Sequence, residues 1–200
     1  MIAQAQEICT YSPEEYLELE LPSEDRHEYI DGEIRLMPGG MPNHNRIIGN
    51  LFAALNFAFK GKLYEAFVTD QRLWIPRKRI YTYPDIMIVK GELQLQEGRK
   101  DTLTNPSIVI EVLSKSTQNY DKGDKFTAYR SIPTFQEYVL IDQYSQHIEH
   151  YVKTEQRKWT FQEYDEADST LNFASLPFEI LIADLYDKVK FKPAEAEIDA

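Results

Sequence analysis

The chain has 200 residues, of which 42% are hydrophobic and 28% charged, and its formal net charge is -11. With 10 Phe and 13 Tyr as core material, this composition excludes a disordered chain, and no apolar run approaches the roughly 18 residues that a membrane span needs. Cys9 is the only cysteine, which excludes an intramolecular disulfide and a thiolate zinc cluster.

Three elements are predicted in the first third of the chain. The segment SPEE at 12–15 combines an N-cap, a first-turn proline and a capping-box acid, which predicts a short helix over 13–20. The run HEYI-DG-EIRLM contains an Asp-Gly pair that is typical of a two-residue hairpin turn. Next, Asn43 is expected to cap a helix whose apolar positions recur at helical spacing as far as Phe59.

Strands dominate the rest of the chain. Aromatic and β-branched runs predict strands over 63–68 and 71–75, and then two core strands, IMIVK and SIVIEVL. The polar segment between the two core strands is expected to be a surface excursion. A helix over 121–130 should precede the strand QEYVLID, the antiparallel pair HIEHYVK and KWTFQEY, and a C-terminal helix in FEILIADLYDKV. These elements predict an α+β fold with a mixed, mostly antiparallel sheet flanked by helices.

The length is that of one domain. We expect an N-terminal extension at 1–10, one domain at 11–190 and a disordered tail at 191–200. The first residues contain no basic segment followed by an apolar block, so we expect no secretory signal, no membrane partner and a cytoplasmic location.

Two carboxylates in apolar segments carry the chemical signal. Asp85 follows Pro84 at the start of the strand IMIVK, and Glu111 lies inside the strand SIVIEVL. Burial of a carboxylate is unfavourable unless it is paired or binds a cation. If the strands are neighbours, both carboxylates meet at one edge of the sheet, and two hard oxygen ligands with room for water suit Mg²⁺. The alternative to a metal site is a salt bridge between these carboxylates and Lys or Arg.

Several segments together carry a resemblance to a known family. They are PDIMIV, IVIEVLSKST, YDKGDKFTAY and FQEYVLID, joined by HEYIDGEI, PGGMPNHNRI and DQRLWI. In combination they resemble the Uma-two (Uma2) restriction endonuclease family, over about residues 10–187. The resemblance implies a restriction-endonuclease-like PD-(D/E)xK core and a metal-dependent endonuclease, with Asp85 and Glu111 as ligands of Mg²⁺ or Mn²⁺.

One position departs from the superfamily pattern. The lysine of that pattern lies two residues beyond the glutamate, where this chain has Leu113. Lys125, on the predicted helix, falls where the resembling family carries a lysine, and we expect it to reach back to the site. Lys115 is the rival, because strand alternation would place it on the face of Glu111 if the strand continued.

Further residues have weaker signals. Glu28 and Glu33 flank the hairpin turn, and we expect exposed charges there, with Glu28 the accessory ligand if either contributes. His44, at a helix start, is expected either to contact phosphate and transfer protons or to serve structurally. His147 and His150 have no zinc spacing and are expected on an exposed strand.

The charge is unevenly distributed along the chain. Acids outnumber bases by 9 in residues 1–34 and by 8 in 131–200, whereas bases outnumber acids by 6 in 35–130. A cationic middle can present a local positive surface, and Arg77, Lys78 and Arg79 are candidate contacts to a DNA backbone. An ordinary solvated surface is the alternative.

The leading interpretation is Mg²⁺-dependent hydrolysis of DNA phosphodiester bonds. Asp85 and Glu111 would hold the ion, which lowers the pKa of a water molecule, and the lysine would orient that water and stabilise charge on the phosphorus. The alternative is a catalytically silent nuclease fold that serves in nucleic-acid binding or as a homodimer.

Overall fold

The computed structural model describes residues 10–191. Cys9 and nearly all of the expected N-terminal extension and C-terminal tail lie outside these residues. The helices are α1 (Pro13–Glu20), α2 (Pro42–Phe59), α3 (Gln118–Tyr120), α4 (Phe126–Tyr129) and α5 (Ile182–Leu185). A π-helical turn, Asp121–Lys125, joins α3 to α4, and a 3-10 turn covers Pro76–Lys78.

The strands fall into three sheets, and their bounds are β1 (His27–Ile30), β2 (Glu33–Leu36), β3 (Tyr64–Val68), β4 (Arg72–Ile75), β5 (Ile80–Thr82), β6 (Ile86–Lys90), β7 (Thr102–Leu103), β8 (Ile108–Leu113), β9 (Glu137–Asp142), β10 (Ile148–Glu155), β11 (Lys158–Tyr164), β12 (Thr170–Asn172) and β13 (Glu179–Leu181).

The largest sheet has six strands in the order β11-β10-β9-β8-β6-β3. Its β8 and β9 run parallel and are connected by α3, the π-helical turn and α4, while its other neighbouring strands pair antiparallel. A parallel pair needs such a crossover because a tight turn reverses the chain direction. The architecture confirms the predicted α+β class with a mixed, mostly antiparallel sheet flanked by helices.

Strand β8 is buried on both faces, which explains its nearly continuous apolar sequence. Ile108, Ile110 and Val112 pack into the same cluster as the apolar face of α2. Val109 and Leu113 belong to a second cluster, which includes residues of α4. Because strand side chains alternate between faces, Glu111 lies on the α4 side of the sheet.

A second sheet, in the order β2-β1-β5-β4-β7, packs against α1. The Asp31-Gly32 turn joins β1 to β2 with a positive φ at both residues, as the two-residue hairpin turn requires. The polar excursion after β6 contributes β7, which pairs in parallel with β4. The hairpin prediction is therefore confirmed, and the excursion is partly a strand.

Two predictions about helix ends were wrong. Helix α2 starts at Pro42, whose fixed φ suits a first turn, with Met41 as the N-cap. The amide of Asn43 donates instead to the carbonyls of Gln143 and Lys190, at 3.2 and 2.9 Å. The C-terminal segment forms β13, paired with β12, and only the single-turn helix α5. None of the helices within residues 10–191 has the length and apolar character of a membrane span.

Candidate active site

The pairing of β6 with β8 brings Asp85 and Glu111 together. Ile86 pairs with Ile110 in this antiparallel ladder, so the residue before β6 lies beside the residue after Ile110. The backbone N–H of Asp85 donates to Glu111 Oε2 at 3.3 Å, and the backbone N–H of Val112 donates to Asp85 Oδ2 at 2.7 Å. Both carboxylates therefore occupy one edge of the sheet.

Lys125 projects from the π-helical turn into this region. Its Nζ lies 3.2 Å from Glu111 Oε1, 3.2 Å from Asp121 Oδ1 and 3.3 Å from Glu28 Oε1. The residue is only 7% exposed. Lys115 is exposed and lies over the ring of Tyr144, 5.5 Å from its centroid. Of the two candidate lysines, Lys125 is the one that contacts the carboxylates.

Leu113 shows why the lysine comes from elsewhere in the chain. It is buried in the apolar cluster beneath α4, on the same face of β8 as Glu111. The crossover that connects β8 to β9 packs on this face of β8, and its π-helical turn places Lys125 beside Glu111. The π-helical turn sets Asp121 and Lys125 on one side of the segment, where they form an i,i+4 ion pair.

The electrostatics of the site reflect an excess of negative charge. Burial, together with the nearby carboxylates of Asp85 and Asp121, raises the pKa of Glu111 to about 8, although the Lys125 ammonium opposes this. Burial disfavours the charged form of Lys125, but the surrounding carboxylates outweigh it and raise the lysine pKa well above its ordinary value. Burial is therefore the main cause of the raised pKa of Glu111, whereas the neighbouring carboxylates are the cause of the raised pKa of Lys125.

Two predicted accessory residues also lie at the site. His44 Nε2 is 3.2 Å from Asp85 Oδ2; burial opposes the imidazolium, but this hydrogen bond prevails and raises the pKa of His44. The Nδ1 atom of the same ring is buried without a hydrogen-bond partner. Glu28 is buried, accepts a hydrogen bond from the Thr82 hydroxyl and pairs with Lys125. The expectation of an exposed charge was wrong for Glu28 but holds for Glu33.

Most of the site residues described above line a cavity of about 300 Å³, but Glu28 and Leu113 do not. Its charged lining comprises Asp85, Glu111, Lys115, Asp121 and Lys125, together with His44. Within residues 10–191, no three His, Cys, Asp or Glu side chains are arranged to hold a metal ion unaided. Two carboxylates beside an open cavity nevertheless fit a hard divalent ion that keeps several water ligands, as Mg²⁺ does.

The other predicted residues lie apart from this cavity. Arg77 and Lys78 are exposed in the 3-10 turn, and Arg79 pairs with Asp31 at the hairpin. His147 is half-buried. The expectation that His150 lies at the surface was wrong, because it is buried and bonds to a glutamate of β9.

Sequence reasoning missed two polar groups at the site. Asp121 holds the lysine, and its spacing of four residues from Lys125 was the signal that could have found it. The Tyr129 hydroxyl donates to Glu111 Oε1 at 2.7 Å, and no sequence pattern marks it, since an inward-facing helical Tyr is usually a core residue.

Comparisons with known proteins agree with this architecture. Residues 13–183 match the family described as "Uma2: Putative restriction endonuclease". Two uncharacterized proteins of Synechocystis are similar: sll1609 is 40% identical over 80% of this chain and 90% of its own, and slr1290 is 34% identical over 90% and 93%.

A solved structure shares the fold. It is described as a putative nuclease belonging to DUF820 from Anabaena variabilis, with a TM-score of 0.73 and 23% identity, over 88% of this chain and 98% of that one. The predicted restriction-endonuclease-like fold is thereby confirmed. With the family matched over most of its length, the chain belongs to the Uma2 family of restriction-endonuclease-like proteins.

Proposed function

We propose that this protein is a divalent-metal-dependent endonuclease that hydrolyses phosphodiester bonds in DNA. The observation that carries the proposal is the meeting of Asp85, Glu111 and Lys125 at one cavity, although the lysine is 12 positions beyond Leu113. Asp85 directly precedes β6, Glu111 lies in β8 and Lys125 lies in the π-helical turn, so their convergence is a property of the tertiary fold. Membership of a family described as nucleases supports nucleic acid as the substrate class.

Asp85 and Glu111 are the proposed ligands of Mg²⁺ or Mn²⁺. Burial, and to a smaller extent the carboxylates of Asp85 and Asp121, raise the pKa of Glu111, and a bound divalent cation would favour its ionised form. When bound, the ion contributes Lewis acidity and lowers the pKa of water. The hydrogen bond from Val112 N–H to Asp85 Oδ2 fixes the orientation of that carboxylate.

Lys125 is proposed to orient the attacking water and to stabilise the charge that develops on the phosphate. Its ammonium carries three donors and is held by ion pairs with Glu28 and Asp121. Such preorganisation lowers the barrier because the charge needs no rearrangement during the reaction. His44, whose pKa is raised, can contact the phosphate or donate a proton to the leaving oxygen.

The decisive experiment is incubation of the purified protein with plasmid and oligonucleotide DNA in Mg²⁺, in Mn²⁺ and in EDTA. We expect nicked or linear plasmid with either metal and intact plasmid in EDTA, with Asp85→Asn as the inactive control. Intact DNA in all three conditions, together with no Mn²⁺ binding by calorimetry, would instead favour the catalytically silent nuclease fold.

Four further features belong to the same proposal: backbone contacts from Arg77, Lys78 and Arg79, one domain at 11–190, a cytoplasmic location and a homodimer. A homodimer would carry two sites and so could cut both strands of a duplex. Light scattering coupled to size-exclusion chromatography checks the oligomeric state, and the mass of a monomer would contradict the proposed homodimer.

A further inference from the structure

A second concave surface lies at the far end of β8 from Glu111. The loop after α4 reaches the first residues of this strand: the Thr134 hydroxyl donates to the Pro106 carbonyl at 2.9 Å, and Gln136 N–H donates to the Ser107 carbonyl at 2.7 Å. Four residue steps separate Ser107 from Glu111, which is roughly 13 Å along a strand. The surface is therefore distinct from the candidate active site.

This surface, the basic groove, encloses about 700 Å³. Its charged lining residues are Arg77, Arg130, Lys153 and Arg157, and Trp159 forms part of its wall. The remaining lining residues are uncharged, so no carboxylate lies in the groove. Among the ion pairs of residues 10–191, none involves any of these four cations.

The concentration of unpaired cations is unexpected in this chain. The protein carries 33 acidic side chains against 22 basic ones. Positive groups scattered at random over such a surface would mostly find acidic neighbours. Four positive side chains that converge without an acidic neighbour create a local positive potential, and a concave wall focuses the field lines. Such a local positive potential favours the close approach of a polyanion to this acidic protein.

Arg130 is held in position before any ligand arrives. Its guanidinium lies 4.7 Å from the ring centroid of Phe126, and it donates to the Thr127 hydroxyl at 2.9 Å. The Phe126 ring in turn meets Trp159 edge-on at 5.2 Å. A guanidinium that is already oriented loses less conformational entropy on binding, which favours recognition of a phosphate.

Arg157 supplies an independent observation. It lies in the two-residue turn between β10 and β11 with a φ of 72°, in the left-handed region that favours glycine or asparagine. An arginine there holds a strained backbone conformation. The turn itself does not need a long cationic side chain, whereas a ligand in the basic groove would.

We propose that the basic groove binds backbone phosphates of duplex DNA outside the cleavage site. This inference rests on the proposed nuclease function, because it assigns to the same substrate a phosphate contact at residues that do not line the cavity of the candidate active site. The groove then positions the duplex, and the active site cuts it. Arg77, the one member of the predicted 77–79 strip that lines the groove, takes part in this contact.

The test measures binding of a fluorescent duplex in EDTA, so that no cleavage interferes. The groove variant combines Arg130→Gln, Lys153→Gln and Arg157→Asn. Its matched control combines Lys60→Gln, Lys62→Gln and Lys158→Gln, which remove the same charge from exposed positions outside the groove. We expect at least roughly tenfold weaker binding for the groove variant, and a salt-dependence slope reduced by about 0.9 for each lost phosphate contact.

Arg157→Asn alone separates binding from folding. Asparagine tolerates the left-handed backbone better than arginine, so the variant should keep or raise its melting temperature while it binds the duplex several times more weakly. Equal affinity and equal salt slope for groove variant and control would overturn the inference, and so would a wild-type protein that does not bind the duplex. If the groove variant binds the duplex more weakly than the control, but the wild type does not cleave in Mg²⁺, the groove proposal stands and the active-site proposal is contradicted.

Discussion

At the scale of single residues, one ammonium group forms ion pairs with three carboxylates. Lys125 contacts Glu28, Glu111 and Asp121, each within 3.3 Å. A buried charge without a partner costs several kcal/mol, so the four groups depend on one another. With Asp85 beside Glu111, the cluster still carries a net negative charge, which is the condition in which a cation binds.

The proposed ligands are tested by Asp85→Asn and Glu111→Gln. Each amide keeps an oxygen that accepts the hydrogen bond from Val112 N–H or from the Tyr129 hydroxyl, but it loses the anionic charge. We expect the fold to survive and Mn²⁺ binding to be lost, as measured by calorimetry. Unchanged Mn²⁺ affinity in either variant would contradict the assignment.

The alanine substitution at residue 85 has a different consequence. Relief of repulsion between Asp85 and Glu111 would by itself stabilise the metal-free protein. However, Asp85→Ala also removes the acceptor for Val112 N–H, and an unsatisfied buried donor costs about 1 to 3 kcal/mol. The melting temperature should therefore fall in Asp85→Ala relative to Asp85→Asn.

For the lysine, we expect Lys125→Ala to abolish cleavage and to keep Mn²⁺ binding, because in the proposed mechanism the ammonium acts on water and phosphate and not on the ion. Lys125→Arg should also be inactive, since a planar guanidinium does not fit a site built for a compact ammonium. Lys115→Ala, an exposed position, is the matched control and should cleave normally. Cleavage by Lys125→Ala at the wild-type rate would show that Lys125 does not orient the water or stabilise the phosphate.

The raised pKa of Glu111 predicts a pH dependence of stability. Its folded-state pKa of about 8 exceeds the ordinary value of 4.5, so its contribution is fully present below pH 4.5 and is lost as the pH rises toward 8. In EDTA, Glu111→Gln should therefore gain stability relative to wild type between pH 5 and pH 8. Urea unfolding at the two pH values measures this, and a constant difference would exclude the shift.

At the scale of elements, a buried glutamate connects the central sheet to a neighbouring loop. Glu137 at the start of β9 accepts hydrogen bonds from His150 Nε2 at 2.7 Å and from the N–H groups of Ala174 and Ser175 at 3.1 and 2.5 Å. Burial disfavours the carboxylate, but these donors outweigh it and lower the pKa of Glu137. The contact ties the loop after β12 to the central sheet.

Removal of this contact should be costly. We expect Glu137→Ala to lose about 3 to 5 kcal/mol of unfolding free energy, because His150 and two backbone donors are left buried and unpaired. Glu155→Ala, which breaks an exposed ion pair with Lys158, is the matched control and should cost at most about 1 kcal/mol. Similar urea midpoints for the two variants would show that the buried contact contributes little.

At the scale of the whole molecule, metal binding should couple to stability. An ion that binds only the folded chain stabilises it by about 2.7 kcal/mol at 100 times its dissociation constant. For 200 residues this corresponds to a rise of roughly 5 to 10 °C in melting temperature. We expect Mn²⁺ to produce this rise, EDTA to reverse it and Asp85→Asn to show none. Equal shifts in wild type and variant would place the ion elsewhere.

Local patterns along the chain predicted most individual elements. The Asp-Gly turn, the capping box of α1 and the paired strands β10 and β11 depend on neighbouring residues, so the sequence alone specifies them. The C-terminal segment misled because Ile180 and Ile182, both buried, fit a two-residue period as well as a helical face. Pairing with β12 resolves that ambiguity, and the hydrophobic period of the segment alone does not reveal that partner strand.

The sequence by itself determined the carboxylates Asp85 and Glu111, because charged residues in apolar strands stand out without a structure. Two lysines were candidates for the cation of the site: strand alternation indicated Lys115, and the family resemblance indicated Lys125. Only the tertiary structure shows that Lys125, and not Lys115, contacts the carboxylates. It also shows that Glu28 and His150 are buried and that the cations of the basic groove converge. Each of these depends on which distant segments pack together, and side-chain periodicity carries no information about contacts between elements that are far apart in the chain.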